Sequence, residues 1–344
     1  MIKWLLKLCK ILIINMSVLV LLFSVCEITV RSYAHFLMEG KSFFREKSFI
    51  CPWITSYDSP PPMMISSEKG IFRYRDDSIN ISKKSDFIRI ITVGGSTMLN
   101  KEAFRSSGID IASELNKLLL SDTSKLNFEV LNAGADAYSS AQSLINIQFR
   151  LMEFQPDIII LMHSINDRTV NYFGEISTGD YSNKYMQEFF INPELLTGLS
   201  LSGLLYQSRL LSALGLPQLI AKKRTMNFNN RIDRGISYFI RNLTNICIIC
   251  KKNNVELILL TQPHKMKNFM FDDEPNHIIS YNNVIRDVAE KEDVNYIDMF
   301  HEFGHDPELF IDPVHYSEKG VIKFSQILLP EIIKIINLKI IKLI

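Results

Sequence analysis

Phe87-Ile88-Arg89-Ile90-Ile91-Thr92-Val93-Gly94-Gly95-Ser96-Thr97 reads as a strand that runs into a turn. Phe87 to Val93 is apolar and rich in β-branched residues, the pattern of a strand buried on both faces of a parallel sheet. Gly94 and Gly95 let the backbone turn sharply. A helical pattern follows from about Ala103 to Leu120. Ser96 therefore stands between a strand and a helix, with its hydroxyl exposed. A nearby helix N-terminus offers N–H groups and partial positive charge to a developing oxyanion. The same residue can equally serve as an ordinary helix N-cap.

Further units of the same kind follow. Phe128 to Gly134 reads as a second strand ending at a glycine, and Tyr138 to Phe154 as a helix capped by Ser139 or Ser140. Asp157 to His163 reads as a third strand, ending in Ser164-Ile165-Asn166-Asp167. Asp233–Lys251 and Asn276–Lys291 read as helices, and Val255–Thr261 and Val294–Met299 as strands. Strands alternating with helices imply βαβ units and a parallel sheet. The expected class is α/β: a three-layer, flavodoxin-like sandwich with a mostly parallel central sheet. In such sheets functional groups gather beyond the C-terminal strand ends. Ser96, Gly134 and Asn166 all sit there.

The 344 residues carry a formal net charge of +1, so the composition does not suggest a nucleic acid or other polyanion as partner. Five cysteines without regular spacing are not a disulfide framework. Cys247 and Cys250 lie among isoleucines near a helix end, where packing suits them better than redox chemistry. No zinc-finger spacing is present, and the reading requires no cofactor.

Ile11 to Cys26 is uncharged and apolar, with Lys3, Lys7 and Lys10 before it. Basic residues on that side place the N-terminus in the cytoplasm and the downstream chain outside it. The expectation is a single-pass transmembrane helix in residues 1–31, in the inner membrane, with the remaining domain periplasmic or otherwise extracytoplasmic. A cleaved signal peptide is the competing reading, and Ser24-Val25-Cys26 is a poor cleavage site. Residues 32–86, with Ser59-Pro60-Pro61-Pro62, read as a juxtamembrane connector containing a short strand at Gly70–Arg75. Residues 87–344 form the main domain. It carries a helical insertion around 168–228, read as a lid or a membrane-facing surface, with a solvated basic cluster at Lys222-Lys223-Arg224. The tail from Ile332 to Ile344 reads as an amphipathic helix lying on the domain or on lipid.

Asp312-Pro313-Val314-His315 stands near the end of the chain. The spacing lets a carboxylate reach the histidine Nδ1–H, leaving the other ring nitrogen to take a proton from a serine. That spacing is expected to set His315 apart from His264, His301 and His305.

Taken together, Gly94-Gly95-Ser96-Thr97, Asn132-Ala133-Gly134, Ser164-Ile165-Asn166-Asp167 and Asp312-Pro313-Val314-His315 resemble, in order, the four motif blocks of the SGNH (GDSL-like) hydrolase superfamily. The resemblance covers about residues 87–335. It implies Ser96 as nucleophile, His315 as base and Asp312 as its orienter. It implies an oxyanion hole from the Ser96 and Gly134 N–H groups and the Asn166 side chain. Two positions depart from the family pattern: Gly-Gly-Ser-Thr replaces Gly-Asp-Ser, and Ser164 stands where glycine is usual. With an N-terminal anchor, the chain looks like membrane-tethered members linked to bacterial surface polysaccharides. The implied activity is serine esterase action on O-acyl, chiefly acetyl, esters of a cell-envelope glycan or lipid. The alternative is O-acyl transfer to a surface polysaccharide by the same residues.

Overall fold

The computed structural model describes residues 2–36, 82–122, 126–172, 179, 181, 205, 208–216, 232–265 and 276–343. They fall into two compact units, drawn from residues 1–49 with 185–226 and from 50–184 with 227–344.

The first unit is built on α1 (Ile2–Phe36). Within it, Lys7–Tyr33 is long and apolar enough to cross a membrane. Leu12, Ile13, Leu19, Val20 and Leu21 are all exposed, a surface suited to lipid rather than water. The helix passes the boundary expected at residue 31 and continues to Phe36. Near its C-terminal end, the Glu27 carboxylate gathers four donors. It accepts from Arg31 Nε at 2.7 Å and Ser208 Oγ at 2.6 Å. It also accepts the N–H groups of Arg209 at 2.8 Å and Leu210 at 2.9 Å. These two N–H groups open α7 (Arg209–Ala213), so α1 caps a short helix more than 180 residues downstream. The short strand at Gly70–Arg75, most of the insertion and the cluster at 222–224 lie outside the described residues.

The second unit is a five-stranded, wholly parallel sheet in the order β2-β1-β3-β4-β5. The strands are β1 (Phe87–Gly94), β2 (Asn127–Gly134), β3 (Ile158–Met162), β4 (Glu256–Leu260) and β5 (Asn295–Ile297). Alternate residues of the central strands feed two cores. Ile90, Ile158, Ile160 and Leu260 face α4 (Ile111–Asp122) and α11 (Glu318–Leu343). Ile91, Val93, Ile159 and Leu259 face α5 (Ser140–Phe149), α8 (Ile232–Lys252) and α9 (Asn276–Lys291). Helices on both faces make the three-layer sandwich expected, and a period of two on strands buried on both sides explains the continuous apolar runs. Strand order reverses between β1 and β3. The crevice at their C-terminal ends is therefore the place where a ligand fits.

Boundaries moved where local chemistry intervened. The single helix expected at Ala103–Leu120 is two, α3 (Lys101–Ser107) and α4. Gly108 adopts φ +75° and closes the first; Asp110 and Ser113 exchange backbone-to-side-chain bonds of 2.7 and 2.9 Å to open the second. The helix expected to reach Phe154 ends at Phe149 and passes into a 3₁₀ turn. The C-terminal tail is continuous with α11, and Ile332, Ile335 and Ile336 are buried in the core. This part of the tail thus lies on the domain. Cys247 and Cys250 are fully buried on α8. Burial pushes both thiols up to about 12.

Candidate active site

Ser96 opens α2 (Ser96–Leu99), directly after β1 and Gly95. The turn is held under the end of β2. Asn132 on that strand donates to Leu99 O and Asp110 Oδ2, both at 3.2 Å. α2 packs so closely on β2 that a β-carbon at Gly134 would lie 2.4 Å from Leu99 N.

From the other end of the chain, the segment Phe310–Tyr316 folds back on itself through an antiparallel bridge, with Ile311 N–H donating to His315 O at 2.9 Å. Tyr316 roots it in the core among Phe310, Phe324 and Phe303, the last on α10 (Met299–Phe303). Lys265 N–H donates to Pro313 O at 2.9 Å, tying the segment to the loop after β4. The turn carries a relay. Asp312 Oδ1 accepts the N–H groups of Val314 and His315, each at 2.8 Å. Asp312 Oδ2 lies 2.6 Å from His315 Nδ1. His315 Nε2 lies 2.9 Å from Ser96 Oγ. Both outer links have hydrogen-bond length, although 219 residues separate serine and histidine.

Electrostatics fit these positions. Burial alone would raise the Asp312 carboxyl, but the bonds from the His315 side chain and the two N–H groups overcome it and hold it near 2. Burial also disfavours the His315 imidazolium. The Asp312 carboxylate outweighs it, helped by Glu102 and Asp136, and raises the histidine above its ordinary value.

Asn166 lies in the first turn of α6 (Ile165–Tyr172), at the end of β3. Its Nδ2 donates to Tyr138 O at 2.8 Å, which directs the amide toward the serine turn. A second N–H remains on the same nitrogen. The structure brings Ser96, Asn166, Asp312 and His315 to one crest of the sheet.

Gly134 differs from the sequence reading. Its N–H donates to Asn132 Oδ1 at 2.9 Å, beneath α2, and the small residue is needed for the close approach of Met98 and Leu99. The oxyanion role expected of Gly134 is corrected to a packing role. The reading of the histidines is also corrected. Asp298 stands three residues before His301 and pairs with it at 2.7 Å, and Glu302 precedes His305 by the same spacing. Spacing does not set His315 apart; its contact with Ser96 does.

A second Ser–His–Asp grouping is structural. Ser143, His163 and Asp167 are all buried. His163 Nε2 lies 2.7 Å from Ser143 Oγ, but Nδ1 is 3.8 Å from Asp167, beyond hydrogen-bond length. Asp167 instead accepts from the N–H and hydroxyl of Ser140, locking α5 to α6. Among the described residues, no group of three or more His, Cys, Asp or Glu is placed to share a metal ion.

No protein-family model and no curated protein matches the chain. Solved structures do. An acetylxylan esterase from Geobacillus stearothermophilus is 15% identical over 71% of this chain and 94% of its own, with a TM-score of 0.47. A GDSL-like lipase from Bacteroides thetaiotaomicron is 14% identical over 72% and 88%, with a TM-score of 0.43. A lipase/acylhydrolase from Enterococcus faecalis is 13% identical over 71% and 95%, with a TM-score of 0.44.

Gln262, whose Nε2 donates to Thr97 Oγ1 at 3.2 Å, belongs to no sequence motif. Gln262 stands just past the end of β4, and that position was the available signal.

Proposed function

We propose that the protein is a serine esterase that removes O-acyl groups, chiefly acetyl, from a cell-envelope glycan or lipid. The observation that supports this reading is the continuous relay from Asp312 through His315 to Ser96 Oγ, with links of 2.6 and 2.9 Å. Ser96 Oγ attacks the ester carbonyl while its proton passes to His315 Nε2. The carbonyl oxygen takes the negative charge, stabilised by the Ser96 N–H and the free N–H of Asn166 Nδ2. Donors of this kind contribute ~3–4 kcal/mol each. The C–O bond then breaks, and the alcohol leaves with the proton from His315. Water, deprotonated by the same nitrogen, hydrolyses the acyl-enzyme and restores Ser96. These steps call on no cofactor or metal.

The chain is read as a single-pass inner-membrane protein, with α1 as an uncleaved signal anchor. The lysines ahead of the apolar run leave the esterase domain, residues 87–344, on the periplasmic or extracytoplasmic side. Residues 32–86 are the connector in this division. An acylated envelope substrate lies on that side.

Labelling with a fluorophosphonate serine probe, followed by mapping of the modified residue, tests the reading. Modification at Ser96, lost in Ser96→Ala, is expected. Failure of the probe to modify Ser96 in folded protein would overturn it. Acetate release compared with acetyl transfer to a glycan acceptor then separates hydrolysis from acyl transfer.

A further inference from the structure

Gln262 is buried, and its side-chain amide bridges the two elements that carry the nucleophile and Asn166. Its Oε1 accepts the N–H of Ile165, the first residue of α6, at 3.1 Å. Its Nε2 donates to Thr97 Oγ1, beside Ser96, at 3.2 Å. The backbone of Gln262 is held as firmly. Its N–H donates to Asn282 Oδ1 at 2.9 Å, and Asn282 Nδ2 donates back to its carbonyl at 3.1 Å. Asn282 belongs to α9 and is also buried. Main chain and amide are thus both fixed, so the amide behaves as a spacer of set length.

The spacer sits where the sheet stops doing this task. The β1–β3 ladder ends at Gly94 opposite Met162, short of Ser96 in the turn after β1 and of Asn166 in the turn after β3. Gln262 reaches across from β4 and joins the turn after β1 to the turn after β3. A buried amide suits this place because it has both an acceptor for the Ile165 N–H and a donor for the Thr97 hydroxyl. Burial makes either bond costly to lose.

We infer that Gln262 is a positioning residue that sets the separation of Ser96 from the Asn166 amide, and so the width of the oxyanion pocket. The inference rests on the proposed role of Ser96. Small displacements of such groups cost rate far more than binding. The test compares wild type, Gln262→Leu, Thr97→Val and the double variant on a small aryl acetate, with fluorophosphonate labelling rates measured in parallel. In Gln262→Leu, kcat is expected to fall about 10- to 100-fold with little change in KM, and labelling is expected to slow with it. The midpoint of the pH–rate profile should stay in place, because Asp312 and His315 are untouched. The double variant should lose no more than Gln262→Leu alone, because both changes cut one bridge. If Gln262→Leu does not fold, Thr97→Val alone must show the same pattern, with lower kcat and unmoved KM and pH midpoint. Wild-type kcat and labelling in the folded variants would overturn the inference while leaving Ser96 as nucleophile. A raised KM at unchanged kcat, or multiplicative losses in the double variant, would overturn it too. A wild-type protein unlabelled at Ser96 removes both the inference and the reading beneath it.

Discussion

Gly95 and Asn166 are so close that a β-carbon on Gly95 would lie 2.5 Å from Asn166 Nδ2 and 3.0 Å from Tyr138 O. The φ of Gly95 is −82°, open to any residue, so the requirement for glycine here is steric rather than conformational. Gly95, just before Ser96, has no side chain, and the Asn166 amide occupies the space one would fill. Gly95→Ala should therefore push the Asn166 amide away and lower kcat on an aryl acetate by roughly 10²–10³-fold, as Asn166→Ala should. The two losses should not multiply in the double variant, because the amide is displaced in one variant and absent in the other. Steady-state kinetics of the three proteins check this; additive losses would mean that Gly95 acts elsewhere.

The relay fixes the direction of the pH dependence. In the proposed mechanism His315 is neutral when it accepts the Ser96 proton, and Asp312 raises its pKa above the ordinary histidine value. The acid limb of kcat/KM should therefore have its midpoint above ~6.5. Asp312→Asn should move that midpoint to lower pH while reducing the rate. His315→Ala should remove the limb and most of the activity. His301→Ala, which breaks an acid–histidine pair of the same spacing on an exposed side chain, should do neither. An unchanged profile in His315→Ala would sink the relay.

The same pair carries a stability signature. Asp312 is lowered to about 2, so its contribution is present above its unfolded value and lost as pH falls toward 2. His315 is raised, so its contribution is full below ~6.5 and lost as pH rises through its folded value. The Tm difference between wild type and His315→Ala should thus shrink toward both extremes of a pH series. A difference that grew steadily from acid to alkali would contradict this.

Cys247 and Cys250 are buried and pushed up to about 12, so almost no thiolate exists near neutral pH. Native protein should not take up iodoacetamide at either position, whereas denatured protein should. Joint replacement by alanine should lower Tm through lost packing and leave kcat unchanged. Rapid alkylation of the native protein would revive a redox role.

The proposed topology puts Lys3, Lys7 and Lys10 on the cytoplasmic side, so protease added to intact spheroplasts should digest the domain downstream of α1. Full protection would reverse the topology.

Much of this was legible in the chain because it is local. Apolar β-branched runs alternating with helical patterns determined the α/β class. Asn276–Lys291 is a helix at the expected residues because its apolar spacing is uninterrupted. The places of Ser96, Asn166, Asp312 and His315 at strand or loop ends were likewise readable, since glycine turns and a proline mark where elements stop. What local pattern could not carry was decided by packing. Asp298–His301 has the same spacing as Asp312–His315, and only the fold brings the second pair to a serine 219 residues away. Gly134 reads like an oxyanion donor until α2 is laid on it and Asn132 takes its N–H. Gln262 has no motif, and its bridge from Thr97 to Ile165 exists only because β1, β3 and β4 lie side by side. A hydrogen bond or steric fit between distant residues depends on ångström distances that periodicity along a chain does not encode.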